Sequence, residues 1–119
     1  MGQHDTRGHG RDRQRLFRSD FLSANSRDRL LRWMGGCQTG TKMIRASVPR
    51  GWRVGDKTGR SGNGANNDIG IVQSPTGGPI FLAIYVTAPD ASPEARDNVV
   101  AEAVKVPIAA LTRAAGAAR

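Results

Sequence analysis

Gly51 to Gly59 reads GWRVGDKTG, and the meaning of its Lys57, Thr58 and Gly59 decides what the rest of the chain can be. A phosphate-binding loop requires Gly, four residues, then Gly-Lys-Thr or Gly-Lys-Ser, with backbone N–H groups cradling the phosphates and the lysine reaching the outermost ones. Gly55 falls one place early for that pattern, and Asp56 stands immediately before Lys57, where a carboxylate repels the anion the loop must enclose. Such a loop also opens into a helix, whereas Thr58 is followed by GRSGNGANN, rich in turn residues and without an apolar face. The alternation from Trp52 to Thr58 instead predicts a β-strand, so the three residues belong to a sheet.

Two further strands follow. Asp68 to Val72 suits one, and Ile80 to Thr87 is a near-continuous apolar run that predicts a strand buried on both faces. SPTGGP between them is a turn cluster, which makes an antiparallel connection the natural one. Ser92 as N-cap, Pro93 at the first helical position and Glu94 in the first turn then predict a helix. Its apolar residues are expected at Val99, Val100, Ala103, Val106 and Leu111, with Pro107 kinking or ending it near Val106.

Upstream of the strands, Ser26 is the expected N-cap of RDRLLRWM, with Leu30, Leu31, Trp33 and Met34 as its core face and Gly35-Gly36 as its stop. The segment TGTKMIRASVPRGW reads as a compact connection anchored by Met43, Ile44 and Val48. Leu16, Phe17, Phe21 and Leu22 fall at helical spacing and predict a short helix before SANS. Residues 1–14 contain no Leu, Ile, Val, Phe or Trp and are dense in Gly, Arg and Asp, so a disordered basic tail is expected there. His4, His9, Asp5 and Asp12 lie on this glycine-rich stretch and build no preorganised metal site.

The charge is concentrated in the first half: residues 1–60 carry 14 Lys and Arg against 5 Asp and Glu, while residues 61–119 carry 4 against 5. That imbalance raises the alternative of a basic nucleic-acid-binding module. The basic residues are scattered among glycines and acids, with no aromatic platform and no helical stripe to enter a groove, so no specific nucleic-acid partner is expected. No apolar run reaches the length of a membrane span, MGQHDTRGHG has no signal-peptide segment, and Cys37 is the only cysteine, so no internal disulfide can form.

Together, Asp56-Lys57-Thr58-Gly59, the bend to Asn67-Asp68-Ile69, the strand from Pro79-Ile80 to Ala83-Ile84-Tyr85-Val86 and the Ser/Pro-capped helix resemble the C-terminal part of class A β-lactamases. LSANSRDRLLRWM and TGTKMIRASVPRGW are similar to the segments preceding the Lys-Thr-Gly strand in that family. A penicillin-binding protein segment is the related alternative, sharing Lys-Thr-Gly on the same kind of strand, but the short helix-capped ending favours the lactamase. The resemblance implies an α+β fold. It is a partial one: three antiparallel strands, a C-terminal helix packed on the sheet and two short N-terminal helices, with residues 15–119 forming an incomplete C-terminal segment of the transpeptidase-fold domain.

By the same resemblance, Lys57, Thr58 and Gly59 line one wall of a β-lactam site. Lys57 supplies fixed positive charge, Thr58 a hydroxyl donor for the substrate carboxylate, and Gly59 close approach of backbone and ligand. Arg60 occupies the position whose backbone N–H serves the oxyanion hole, where Ser, Thr or Ala is more usual. Many members place a further arginine on the neighbouring strand, but this chain has Asn66-Asn67 there. Arg96 matches a position from which some members supply it instead and is the expected second anion contact. Arg45 and Asp56 match a buried ion pair beneath the site. No cofactor and no metal are implied.

The family chemistry also needs Ser-x-x-Lys, Ser-Asp-Asn and a glutamate that positions water. No serine of this sequence has lysine three places on, Ser19-Asp20 is followed by Phe21, and Glu94 and Glu102 are the only glutamates. The chain is therefore expected to lack the nucleophile and to be inactive alone. A missing N-terminal portion is the expected partner, without which apolar surface is left open and the piece is poorly soluble or molten. The family implies a periplasmic or secreted protein, whereas the sequence as written implies a cytoplasmic one.

Overall fold

The computed structural model describes residues 21–117. The expected tail at 1–14 and most of the helix expected over 16–22 lie outside them. In chain order the elements are α1 (Ala24–Gly35), α2 (Ile44–Ser47), β1 (Arg53–Arg60), β2 (Ala65–Gln73), β3 (Pro79–Thr87) and α3 (Pro93–Ala117). The strands form one antiparallel sheet in the order β1-β2-β3. Asp56 stands opposite Gly70, Thr58 opposite Asp68 and Arg60 opposite Asn66 on β2.

Turn chemistry sets this register. Gly64 has φ +85°, and a Cβ there would overlap Pro89, so the β1–β2 turn can press against the start of the α3 connection only with glycine. The β2–β3 connection runs through SPTGGP as expected. At α3, Ser92 Oγ accepts from Ala95 N (3.1 Å) and Ser92 O from Arg96 N (3.0 Å), completing the cap that the sequence announces.

Side chains on alternate strand positions leave opposite faces, and α2 and α3 cover the face carrying the even-numbered residues. At one end it is apolar, with Val72 and Leu82 packed against Ile44, Val104 and Ile108 and flanked by Val48, Trp52, Val54, Ile80 and Ile84. The other end is polar: Asp56, Asn66 and Asp68 are all buried there, Asn66 bonded to Arg96 and Asp97 of α3 and Asp68 to the backbone of α2. Gly70 makes room for Ile44 at the boundary, since a Cβ there would sit 3.0 Å from Ile44 Cδ1.

Five expectations are corrected. The cap of α1 is Ser23 rather than Ser26: its Oγ accepts from Ser26 N (3.2 Å), so Ser26 is the third helical residue. Trp33 is 69% exposed and Leu31 is exposed, while Met34 alone of this helix is buried. Helix α1 rides on the edge strand β1 along a narrow strip, where Met34 Cβ lies 3.1 Å from where a Cβ of Gly55 would be. β3 is an edge strand with only Leu82 buried. The central position falls to β2 despite its Asn66, Asn67 and Asp68.

In α3 the buried stripe is Val100, Val104 and Ile108, at four-residue spacing, whereas Val99 and Val106 face solvent. Pro107 does not end that helix, which continues to Ala117. Proline removes one backbone donor at a cost of about 3 kcal/mol, and the burial of Val104 and Ile108 on either side holds the helix through it.

Candidate functional site

The candidate wall is the end of β1 and what packs against it. Thr58 shares the even-numbered face with Asp56 and Arg60, while Lys57 and Gly59 leave the opposite face. Thr58 Oγ1 and Thr39 Oγ1 are hydrogen-bonded at 2.6 Å, and Cys37 Sγ lies 3.4 Å from Thr39 Oγ1. Lys57 is exposed, its Nζ donating to Thr58 O at 2.5 Å. A Cβ placed on Gly59 would meet nothing within 4 Å. That glycine therefore fronts open space, so its missing side chain keeps the strand backbone accessible instead of relieving a crowded core.

Beneath this wall Asp56 is fully buried. Arg45 Nε donates to its Oδ1 at 2.6 Å, and Arg45 Nη2 donates to Met34 O (2.8 Å) and Gly35 O (3.0 Å), so one guanidinium ties β1 to the C-terminal end of α1. Gly40 packs directly on Asp56, where any Cβ would overlap the carboxylate. Asp68 Oδ2 accepts from Ile44 N at 3.1 Å. Burial pushes the Asp68 carboxyl up to about 8. The Ile44 N–H pulls it down, the neighbouring Asp56 raises it further through charge and hydrogen bonding, and Arg45 opposes that rise.

Arg60 extends to α3, where Nη1 and Nη2 donate to the two oxygens of Asp97 at 2.7 and 3.0 Å. Asn66 Nδ2 also donates to Asp97 Oδ1 (2.7 Å) and to Pro93 O (3.1 Å). The Arg60 bonds, with help from Asn66, hold the Asp97 carboxyl below its ordinary range, and Asp97 in turn raises Arg60. Arg96, expected as the second anion contact, turns into the fold. Its Nε donates to Asn66 Oδ1 (3.1 Å) and its Nη1 to Ala88 O (3.1 Å) and Ala91 O (2.7 Å), which leaves the residue 8% exposed. The Arg60 side chain, by contrast, stays 39% exposed.

Thr39, Asp68 and Asp97 are the residues that sequence reasoning passed over. Thr39 sits in a turn-rich stretch, and Asp97 is masked by its neighbour Arg96. The described serines with hydrogen bonds have local structural partners: Ser47 Oγ donates to Ala101 O, Ser61 Oγ accepts from Ala65 N, and Ser23 and Ser92 cap helices. Among the described residues no group of His, Cys, Asp and Glu could hold a metal, and no helix is long and apolar enough to cross a membrane.

Solved β-lactamases share this fold. A β-lactamase from Burkholderia vietnamiensis matches with TM-score 0.86 and 38% identity, over 89% of this chain and 39% of that one. An ancestral class A β-lactamase matches with TM-score 0.82 and 38% identity, over 86% and 39%. Among curated proteins, a Bacillus licheniformis β-lactamase is 41% identical over 92 residues, covering 77% of this chain and 30% of that protein. A Streptomyces fradiae β-lactamase is 40% identical over 105 residues, covering 87% and 34%. The model of the β-lactamase enzyme family matches residues 7–111. The chain belongs to the class A β-lactamase family. It spans about a third of the length of the curated relatives it matches.

Proposed function

We propose that this chain forms the substrate-carboxylate wall of a class A β-lactamase-type site, in a hydrolase that opens the β-lactam ring and thereby confers antibiotic resistance. Lys57 supplies the positive charge, Thr58 the hydroxyl donor, Gly59 the open approach and Arg60 the backbone N–H offered to the developing oxyanion. The observation that carries this reading is the open space in front of Gly59, on the face it shares with the exposed Lys57, on an edge strand whose Thr58 hydroxyl is held from the other face by Thr39. Acyl transfer also needs a nucleophile activated by a base within hydrogen-bond reach, and in this reading both come from a complementary N-terminal portion. A periplasmic or secreted setting goes with the same reading.

The test is hydrolysis of a chromogenic cephalosporin by the chain alone and by the chain mixed with a polypeptide carrying the N-terminal two-thirds of a class A relative. The expected result is no turnover alone and turnover on mixing. Turnover by the chain alone would show that the nucleophile lies within it, and failure to bind any β-lactam in either format would remove the reading.

A further inference from the structure

We infer that the Arg60 side chain, rather than Arg96, is the site's second anion-binding cation, and that Asn66 and Asp97 are positioning residues that hold it; this rests on the reading of β1 as the carboxylate wall. Thr58 and Arg60 are two residues apart on one strand, so their side chains leave the same face with Cα atoms about 7 Å apart. A carboxylate fits between a hydroxyl and a guanidinium at that spacing, accepting from both. Arg60 has five N–H donors, and its hydrogen bonds to Asp97 use two of them. Nε and the second hydrogen of each terminal nitrogen are left to a ligand on a side chain that stays partly exposed.

The support fixes the direction of the guanidinium. The Arg60 side chain is 39% exposed, whereas that of Asp97 beneath it is 8% exposed and is fixed by Asn66. Asn66 in turn is fixed by Arg96 and Pro93 O. Asp68 and Glu94 act on Arg60 through space alongside Asp97, and Lys42 acts through space on Asp97. The bidentate clamp keeps the arginine from losing rotamer freedom when an anion binds.

A plain strand-to-helix staple would use the same bonds, so the test must read anion recognition. The full chain is titrated with benzylpenicillin and with its methyl ester, following backbone amide shifts of Thr58, Gly59 and Arg60 by NMR. The unsubstituted chain is expected to prefer the acid to the ester. Arg60→Gln is expected to weaken acid binding about tenfold or more while changing ester binding little. Arg60→Lys retains charge without the planar fork and recovers part of the preference. Asp97→Asn leaves Arg60 in place but loosely held, and gives an intermediate loss. An Arg60→Gln chain that keeps the full acid-over-ester ratio overturns the inference, whatever its melting temperature. If Arg60→Gln does not fold, the Arg60→Lys ratio decides the matter, with an unchanged ratio counting against it. Failure of the unsubstituted chain to bind the acid at all overturns the carboxylate-wall reading and this inference together.

Discussion

Asp56 and Asp68 lie diagonally across the β1–β2 ladder on one buried face, and each keeps one oxygen, Oδ2 of Asp56 and Oδ1 of Asp68, buried without a hydrogen-bond partner. Two ionised carboxylates in that position repel, whereas a proton on Asp68 satisfies both orphan oxygens at once. Like-charged groups that cannot both ionise are a recognised source of a raised pKa.

The linkage follows in sign. Asp68 titrates near 8 in the folded chain and near 3.8 when unfolded, so between these values the folded state binds the extra proton. Its contribution to stability is complete below about pH 4 and is lost as pH rises towards about 8. Urea denaturation across that range is expected to show stability falling with pH. Asp68→Asn, which can donate to Asp56 and accept from Ile44, is expected to flatten the slope and to gain about 1–3 kcal/mol at pH 8.5, the cost of a buried acceptor left unpaired. A slope unchanged in the variant would refute the shared proton.

Removing Arg45 leaves Asp56 charged, buried and unpaired, and frees two carbonyls at the end of α1. Arg45→Ala is expected to destabilise the chain by about 3–5 kcal/mol. Lysine, with one point charge in place of a fork, is expected to restore under half of that loss. Chemical denaturation of the two variants side by side checks this.

Two glycines separate structure from recognition. Gly40→Ala drives a methyl into Asp56 and is expected to cost more than about 2 kcal/mol. Gly59→Ala meets open space and is expected to leave stability within about 0.5 kcal/mol while weakening β-lactam binding. Melting curves paired with ligand titrations distinguish the two effects, and a Gly59→Ala chain that binds as before would argue against close backbone approach.

Helix α3 offers an internal control. Val104 is fully buried and Val106 is 71% exposed. Val104→Ala is expected to cost about 1–3 kcal/mol through lost burial and a cavity, against less than about 0.5 kcal/mol for Val106→Ala. Equal effects would mean that the buried stripe of α3 has been assigned to the wrong residues.

Local chemistry with one solution was legible in the sequence. SPTGGP made the β2–β3 pair, Ser92-Pro93-Glu94 opened α3, and the Lys-Thr-Gly strand with its surroundings pointed to the family. Features that depend on neighbours were not. An apolar run does not state whether its strand is central or at the edge, and β3 is an edge strand with Leu82 as its buried residue. The strand expected over Asp68 to Val72 begins earlier, at Ala65, because the polar Asn66 and Asp68 in its interior are satisfied by α3 and α2. Arg96 and Asp97 are adjacent in sequence but about 100° apart around a helix, and only the docking angle of α3 decides which of Arg60 and Arg96 faces inward.

That docking also divides labour along a single helix. The first turn of α3 is wired to Arg60 and Asn66, while Val104 and Ile108, two and three turns later, hold the apolar packing. Substitutions at Arg60, Asn66 or Asp97 can therefore retune what the wall accepts without reaching the packed centre. Such a modular layout leaves one end of the molecule free to diversify while the other stays intact.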